Sequence, residues 1–147
     1  MTTEDSEVKV GSIVNRPWGY YTIVAQEKDY AVKLLYINPG EETSLQRHSR
    51  RHELITLLDG SVEITHGATT FRKDRGSRTA SYRIKAGEWH RFAVPSEQKD
   101  PAVILEIAHG ELDPDDFERG DDKYNRVRTR GPGFVDRIMD DYDWRKR

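Results

Sequence analysis

Within ten residues, Ser44 to Glu53, the sequence SLQRHSRRHE holds two histidines, three arginines, a glutamine and a glutamate. Imidazole, carboxylate and amide oxygen are metal donors, whereas guanidinium groups grip oxyanions; metal site, anion patch and plain charged loop are all open readings of the stretch. Residues two apart in an extended chain share a face, which groups Gln46 with His48. After a turn of four residues, Glu53 begins the next apolar run and can direct its carboxylate back toward them. His90, following Gly87-Glu-Trp, stands where a neighbouring strand would start. Gln46, His48, Glu53 and His90 would offer donors suited to Zn, Fe, Mn, Ni or Co, with positions left for water or substrate. An ordinary surface histidine at a strand end is the competing reading. With no Cys in the chain, thiolate ligands and disulfides are excluded.

Such side chains need rigid elements to bring them together. Runs rich in Val, Ile, Tyr and Thr recur between turn signals: GYYTIVAQ, YAVKLLYIN, LITLLDG, SVEITHG, YRIKAG, HRFAVP and AVILEIAHG. The turns fall at Pro39-Gly40, Asp59-Gly60, Ala86-Gly87 and between Pro95 and Pro101, too close together for intervening helices. An all-β sandwich or small barrel follows, and closing the strands into a barrel removes their edges and creates an interior pocket. Residues 1–12 read as a flexible polar arm, 13–127 as the barrel, and 128–147 as an extension. In that extension Phe134, Ile138 and Tyr142 have the i, i+4, i+8 spacing of a short amphipathic helix. The stretch GATTFRKDRGSRTAS, with Arg72, Lys73, Arg75 and Arg78, reads as a mobile, solvated hairpin tip.

The chain has 147 residues, the size of one domain. Hydrophobic residues make up 35% and charged ones 34%, yet seven Tyr, four Phe and three Trp supply the apolar surface of a core. A net charge of −2 gives no general reason to expect nucleic acid as a partner. No apolar run is long enough to span a bilayer, and the acidic start MTTEDSEVKV does not look like an export signal; a cytoplasmic protein without a membrane partner is the expectation.

The spacing from Gly40 through Gln46-x-His48 and Glu53 to Gly60, followed by Gly87-x-x-His90, resembles the two cupin motifs, with Gln46 in the place of the first histidine. That resemblance implies a double-stranded β-helix, or jelly-roll barrel, in which Gln46, His48, Glu53 and His90 face inward and bind one divalent metal. Arg16-Pro-Trp-Gly-Tyr-Tyr, Tyr30-x-Val-Lys33, Ser44-Leu-Gln46, His90-Arg91, Glu106 and Asp115-Asp116 to Tyr124-x-Arg126 narrow it further. They are similar to the C-terminal cupin domain of type II mannose-6-phosphate isomerases, over about residues 16–126. The guanylyltransferase domain that precedes it in larger family members has no counterpart here. Several positions depart from the family pattern: Arg50 replaces a second histidine, Ala108 a glutamine, Asn125 a glycine, Lys85 a proline and Val94 an asparagine. The resemblance also implies a homodimer.

Aldose to ketose isomerisation moves a proton between neighbouring carbons, so it needs a base and a group that stabilises the developing oxyanion. Glu106 is the candidate base if its strand turns it inward, with an outward, solvated glutamate as the alternative. Lys33 and Arg51 complete the candidate catalytic set, with Lys33, like His109, a weaker candidate than Glu106. For a phosphate, Arg51 and Arg91 are the first choices and Arg50 adds a third charge. Trp18, Tyr20 and Trp89 could form sugar-stacking walls, although aromatic residues near glycine turns are more often core. The expected function is metal-dependent isomerisation of a small-molecule sugar phosphate, of the mannose 6-phosphate and fructose 6-phosphate type. A non-catalytic module that binds a sugar or nucleotide sugar, and an iron-dependent dioxygenase, are the competing expectations.

Overall fold

The computed structural model describes residues 9–76, 81–126 and 129–135. Twelve strands form two antiparallel six-stranded sheets. The first sheet contains β1 (Ile13–Arg16), β2 (Gly19–Gln26), β3 (Tyr30–Ile37), β5 (Arg51–Asp59), β8 (Ser81–Ile84) and β10 (Ala102–Gly110), in the order β1-β2-β3-β10-β5-β8. The second contains β4 (Gln46–Arg47), β6 (Ser61–His66), β7 (Thr69–Asp74), β9 (His90–Ala93), β11 (Glu118–Arg119) and β12 (Thr129–Arg130), in the order β12-β11-β4-β9-β6-β7. The all-β expectation holds, and each of the seven runs read from the sequence overlaps a strand.

Alternation along the strands decides what faces inward. On β10, Ala102, Ile104, Glu106 and Ala108 are buried while Val103, Leu105, Ile107 and His109 are half-buried on the other face. On β3, Leu35 and Ile37 point in with Lys33 between Ala31 and Leu35 on the same side; on β9, His90 and Phe92 do so. At one end of the interior, Ile37, Val62, Ala102 and Ile104 have 0% exposure and form the dry core with Leu57 and Val94. Each buried Ile or Val contributes about 1.5–3 kcal/mol by leaving water. The opposite end carries the polar inward residues.

Two expectations need correction or placing. Thr69–Asp74, read as part of a mobile tip, is instead strand β7 paired along its length with β6, because Phe71 packs against the core and Thr70 and Arg72 find partners in Thr65, Ser61 and Asp74. The tight turn lies at Gly67-Ala68. The helix expected around Ile138 and Tyr142 falls outside the described residues. Of the expected N-terminal arm, Gly11 is tied to β2 by its N–H to the Ile23 carbonyl at 2.8 Å.

Candidate metal centre and cavity

Glu53 on β5, His90 at the start of β9 and His48 in the loop after β4 arrive from both sheets. Their ligand atoms lie within 4.8 Å of one another, and all three residues are buried. Gln46 is the direct cross-strand partner of His90, so its side chain shares the inward face. His48, Glu53 and His90 thus converge in the fold, with Gln46 beside His90 on the neighbouring strand.

Backbone carbonyls orient both imidazoles. His48 Nδ1 is 2.7 Å from the Asp116 carbonyl and His90 Nδ1 is 3.0 Å from the Glu88 carbonyl, so each Nδ1–H donates outward and each Nε2 lone pair turns toward Glu53. Asp116 does more: its carboxylate accepts the N–H groups of Ser49 (2.8 Å) and Arg50 (2.9 Å) and the Ser49 hydroxyl, which fixes the loop carrying His48. Nothing in a single sequence signals this role for Asp116, because it depends on a contact across 67 positions.

The electrostatics suit a cation. Burial, then the Arg51 guanidinium, holds His48 in its neutral form, with the pKa pushed down to about 3. Burial would raise the Glu53 carboxyl, but Arg51 and the two histidines outweigh it and keep Glu53 well below the usual carboxylate range. Burial likewise opposes protonation of His90, yet the Glu53 carboxylate overcomes it and the pKa is raised. Glu53 Oε1 and His90 Nε2 lie 3.2 Å apart, both buried, and neither finds another hydrogen-bond partner among the described residues. Two buried orphan atoms converging with a second imidazole fit a divalent ion as their common partner. Arg51 Nη2 lies 2.9 Å from Glu53 Oε2 and 3.1 Å from His48 Nε2.

This cluster borders a cavity of about 310 Å³ lined among others by Gln46, His48, Arg51, Glu106 and Lys33. Glu106 therefore faces inward. Burial, and next the Glu53 charge, push its pKa up to about 7, against the opposing pull of Lys33 and Arg51. Trp18, Tyr21 and Phe92 contribute apolar wall. Gly19 keeps Trp18 close, since a Cβ at this positive-φ position would collide with the Tyr36 carbonyl.

Other expected residues lie elsewhere. Arg50 is turned away, donating to Glu111 (2.7 Å), Asp113 (3.0 Å) and the Gly133 carbonyl (2.6 Å). Arg91 alternates with His90 and so leaves the interior, donating to the carbonyls of Thr43 (3.1 Å) and Asp121 (2.8 Å). Neither lines the cavity. Tyr20 stacks on Tyr36 at 4.5 Å on the outer face, Trp89 is buried beneath the Arg47 guanidinium, and His109 lies against His52 outside the barrel. Tyr21, Arg16, Arg119 and Arg126 line the cavity without having been singled out as ligand contacts.

Comparison with known proteins agrees with this architecture. The family described as "Mannose-6-phosphate isomerase C-terminal" matches residues 3–122. The alginate biosynthesis protein AlgA of Pseudomonas aeruginosa is 34% identical over 123 residues, covering 83% of this chain and 24% of AlgA. The chain thus spans about a quarter of that relative's length. Among solved structures, a double-stranded β-helix domain protein from Klebsiella pneumoniae superposes with a TM-score of 0.58 at 17% identity, covering 83% of this chain and 97% of that one. The cupin domain of Schizosaccharomyces pombe Cnp3 gives 0.56 at 15% identity, with 73% and 72% covered. The fold is the cupin double-stranded β-helix.

Proposed function

The chain belongs to the mannose-6-phosphate isomerase C-terminal family of cupins, and from that premise we propose that it is a metal-dependent sugar-phosphate isomerase. Its substrates on this reading are mannose 6-phosphate and fructose 6-phosphate or a closely similar aldose and ketose pair. The observation that carries the proposal is the presence of Glu106, a buried carboxyl with a pKa near 7, in the same cavity as the His48, Glu53 and His90 cluster.

A divalent metal held by His48, Glu53 and His90, with Gln46 as a fourth donor, would supply Lewis acidity toward a substrate carbonyl. Glu106, whose pKa is raised to about 7, takes the proton in its ionised form from the carbon next to the carbonyl and returns it to the neighbouring carbon. Lys33, opposite Glu106 on the next strand, donates to the substrate oxygen whose charge changes in the transfer. Arg51 keeps Glu53 ionised and adds a donor at the same end. Trp18, Tyr21 and Phe92 limit access of water to the transferred proton.

The test is direct. Chelator-treated protein is reloaded separately with Zn, Mn, Fe, Ni and Co and incubated with a panel of phosphorylated hexoses and pentoses. Conversion of one aldose and ketose pair supports the reading. No conversion with any metal contradicts it, and binding without conversion would point to a sugar-binding module instead.

A further inference from the structure

The segment 129–135 follows the last residue that matches the family and docks beside the loop that carries His48. It opens as β12, paired with β11. It then runs on against the 113–117 loop, with Gly131 N–H donating to the Phe117 carbonyl (2.8 Å) and Gly133 N–H to the Asp115 carbonyl (2.9 Å). This close approach requires both glycines. A Cβ on Gly131 would run into the Asp115 carbonyl and the Phe117 ring, and one on Gly133 into the Asp113 carboxylate.

From there the segment reaches the residues on both sides of His48. The Arg47 guanidinium carbon lies 5.1 Å from the centre of the Phe134 ring, and Val135 N–H donates to Ser49 Oγ at 2.8 Å. Gln46 and His48 line the cavity, and Arg47 and Ser49, alternating with them, turn toward this segment. The bonds continue inward to the ligand itself. The Ser49 hydroxyl donates to the Asp116 carboxylate, and the Asp116 carbonyl accepts from His48 Nδ1–H at 2.7 Å. Ser49 and Asp116 are both buried, so water does not substitute for either of them.

Arg50 clamps the arrangement. Its guanidinium donates to Glu111 (2.7 Å) and Asp113 (3.0 Å) on one side and to the Gly133 carbonyl (2.6 Å) on the other. The planar fork serves all three acceptors at once, which a histidine, with two ring nitrogens, could not do. We propose that residues 129–135 are a strap that holds the metal ligand His48 in place, with Arg50 and Val135 as its positioning residues. The affinity of the centre for a divalent cation then depends on a segment outside the cavity, and Arg50 serves that segment rather than a substrate. The strap's action rests on the metal reading above, because it is exerted through His48.

The experiment titrates Co²⁺ into the chelator-treated full chain and follows the visible absorption of the bound ion, which reports affinity and ligand geometry together. Arg50→Gln removes the clamp, Val135→Pro removes the donor to Ser49, and Val62→Ala in the dry core is the control for lost stability. Wild type binds Co²⁺, and the two strap variants bind it roughly 10–100-fold more weakly with an altered spectrum. Val62→Ala binds as wild type although it unfolds at a lower temperature. Circular dichroism confirms that each protein is folded at the titration temperature; should Val135→Pro not fold, Arg50→Gln decides alone. Wild-type affinity and spectrum in the folded strap variants, or an equal loss in Val62→Ala, overturn the strap and leave the metal centre standing. No Co²⁺ bound by wild type removes the metal centre itself, and the strap's action with it.

Discussion

Glu106 on β10 and Lys33 on β3 are directly opposed across an antiparallel ladder, and both line the cavity next to the histidine and glutamate cluster. The pair sets an acid with a pKa near 7 beside a cation. If Glu106 is the base, Glu106→Gln lowers kcat by about 10²–10⁴-fold, and wild-type activity rises with pH through about 7 as Glu106 ionises. A pH profile of both proteins reads this, with circular dichroism confirming an unchanged fold.

The same group gives a stability prediction. Its folded pKa is raised above the ordinary 4.5, so between pH 4.5 and about 7 the unfolded chain ionises more readily and the native state loses stability as pH rises. Glu106→Gln removes that loss. In chelator-treated protein the variant gains on the order of 3 kcal/mol relative to wild type between pH 4.5 and pH 8. Urea denaturation at the two pH values measures the difference.

His48 acts in the opposite window. Its folded pKa is depressed to about 3 from 6.5, so the unfolded state binds the extra proton as pH falls below 6.5 and stability declines. His48→Gln flattens this decline by about 2 kcal/mol between pH 7 and pH 5 in the metal-free protein, read as a smaller shift in denaturation midpoint.

Much of this arrangement is legible in the sequence. Seven strands announce themselves by alternation and turn residues, and the Gln46, His48, Glu53 and His90 pattern points to a cluster that long-range pairing then assembles around His48, Glu53 and His90. Parity alone places Arg91 outside once His90 is inside, and the same rule settles Glu106 when its neighbours Ile104 and Ala108 are taken as core. Arg47 is different. It looks like part of a basic patch, yet it has 0% exposure, with Glu118 accepting from its Nε at 2.8 Å and the Trp89 ring 4.6 Å away. Its burial depends on a partner 71 positions distant, which periodicity does not encode. Arg119 and Arg126 sit on a two-residue strand and in a loop, elements with too little repeat to give a face.

The Arg47 and Glu118 pair yields its own test. Glu118 also accepts from Arg130 Nε at 2.8 Å, which ties β12 to β11 through side chains as well as backbone. Glu118→Ala leaves the Arg47 charge buried without its carboxylate and destabilises the fold by about 3–5 kcal/mol. Chemical denaturation of wild type and variant measures the cost.

Metal content follows from the cluster. His48→Ala, Glu53→Ala and His90→Ala are each expected to lose bound divalent metal, and Gln46→Ala to weaken it less, since a neutral amide contributes least to holding a cation. Elemental analysis after dialysis against a fixed metal concentration separates the four. Metal retained in all three histidine and glutamate variants would remove the centre from the account.

Solvent-proton exchange tests the central claim most directly. Metal-loaded protein is incubated with mannose 6-phosphate in deuterium oxide, and the product is followed by NMR. The account predicts fructose 6-phosphate formed by wild type and not by Glu106→Gln, with incomplete solvent deuterium at the carbon that receives the proton, because the apolar wall slows exchange of the proton Glu106 carries. Equal product from the Glu106→Gln variant would contradict proton transfer by Glu106, and complete deuteration would contradict its shielding from water.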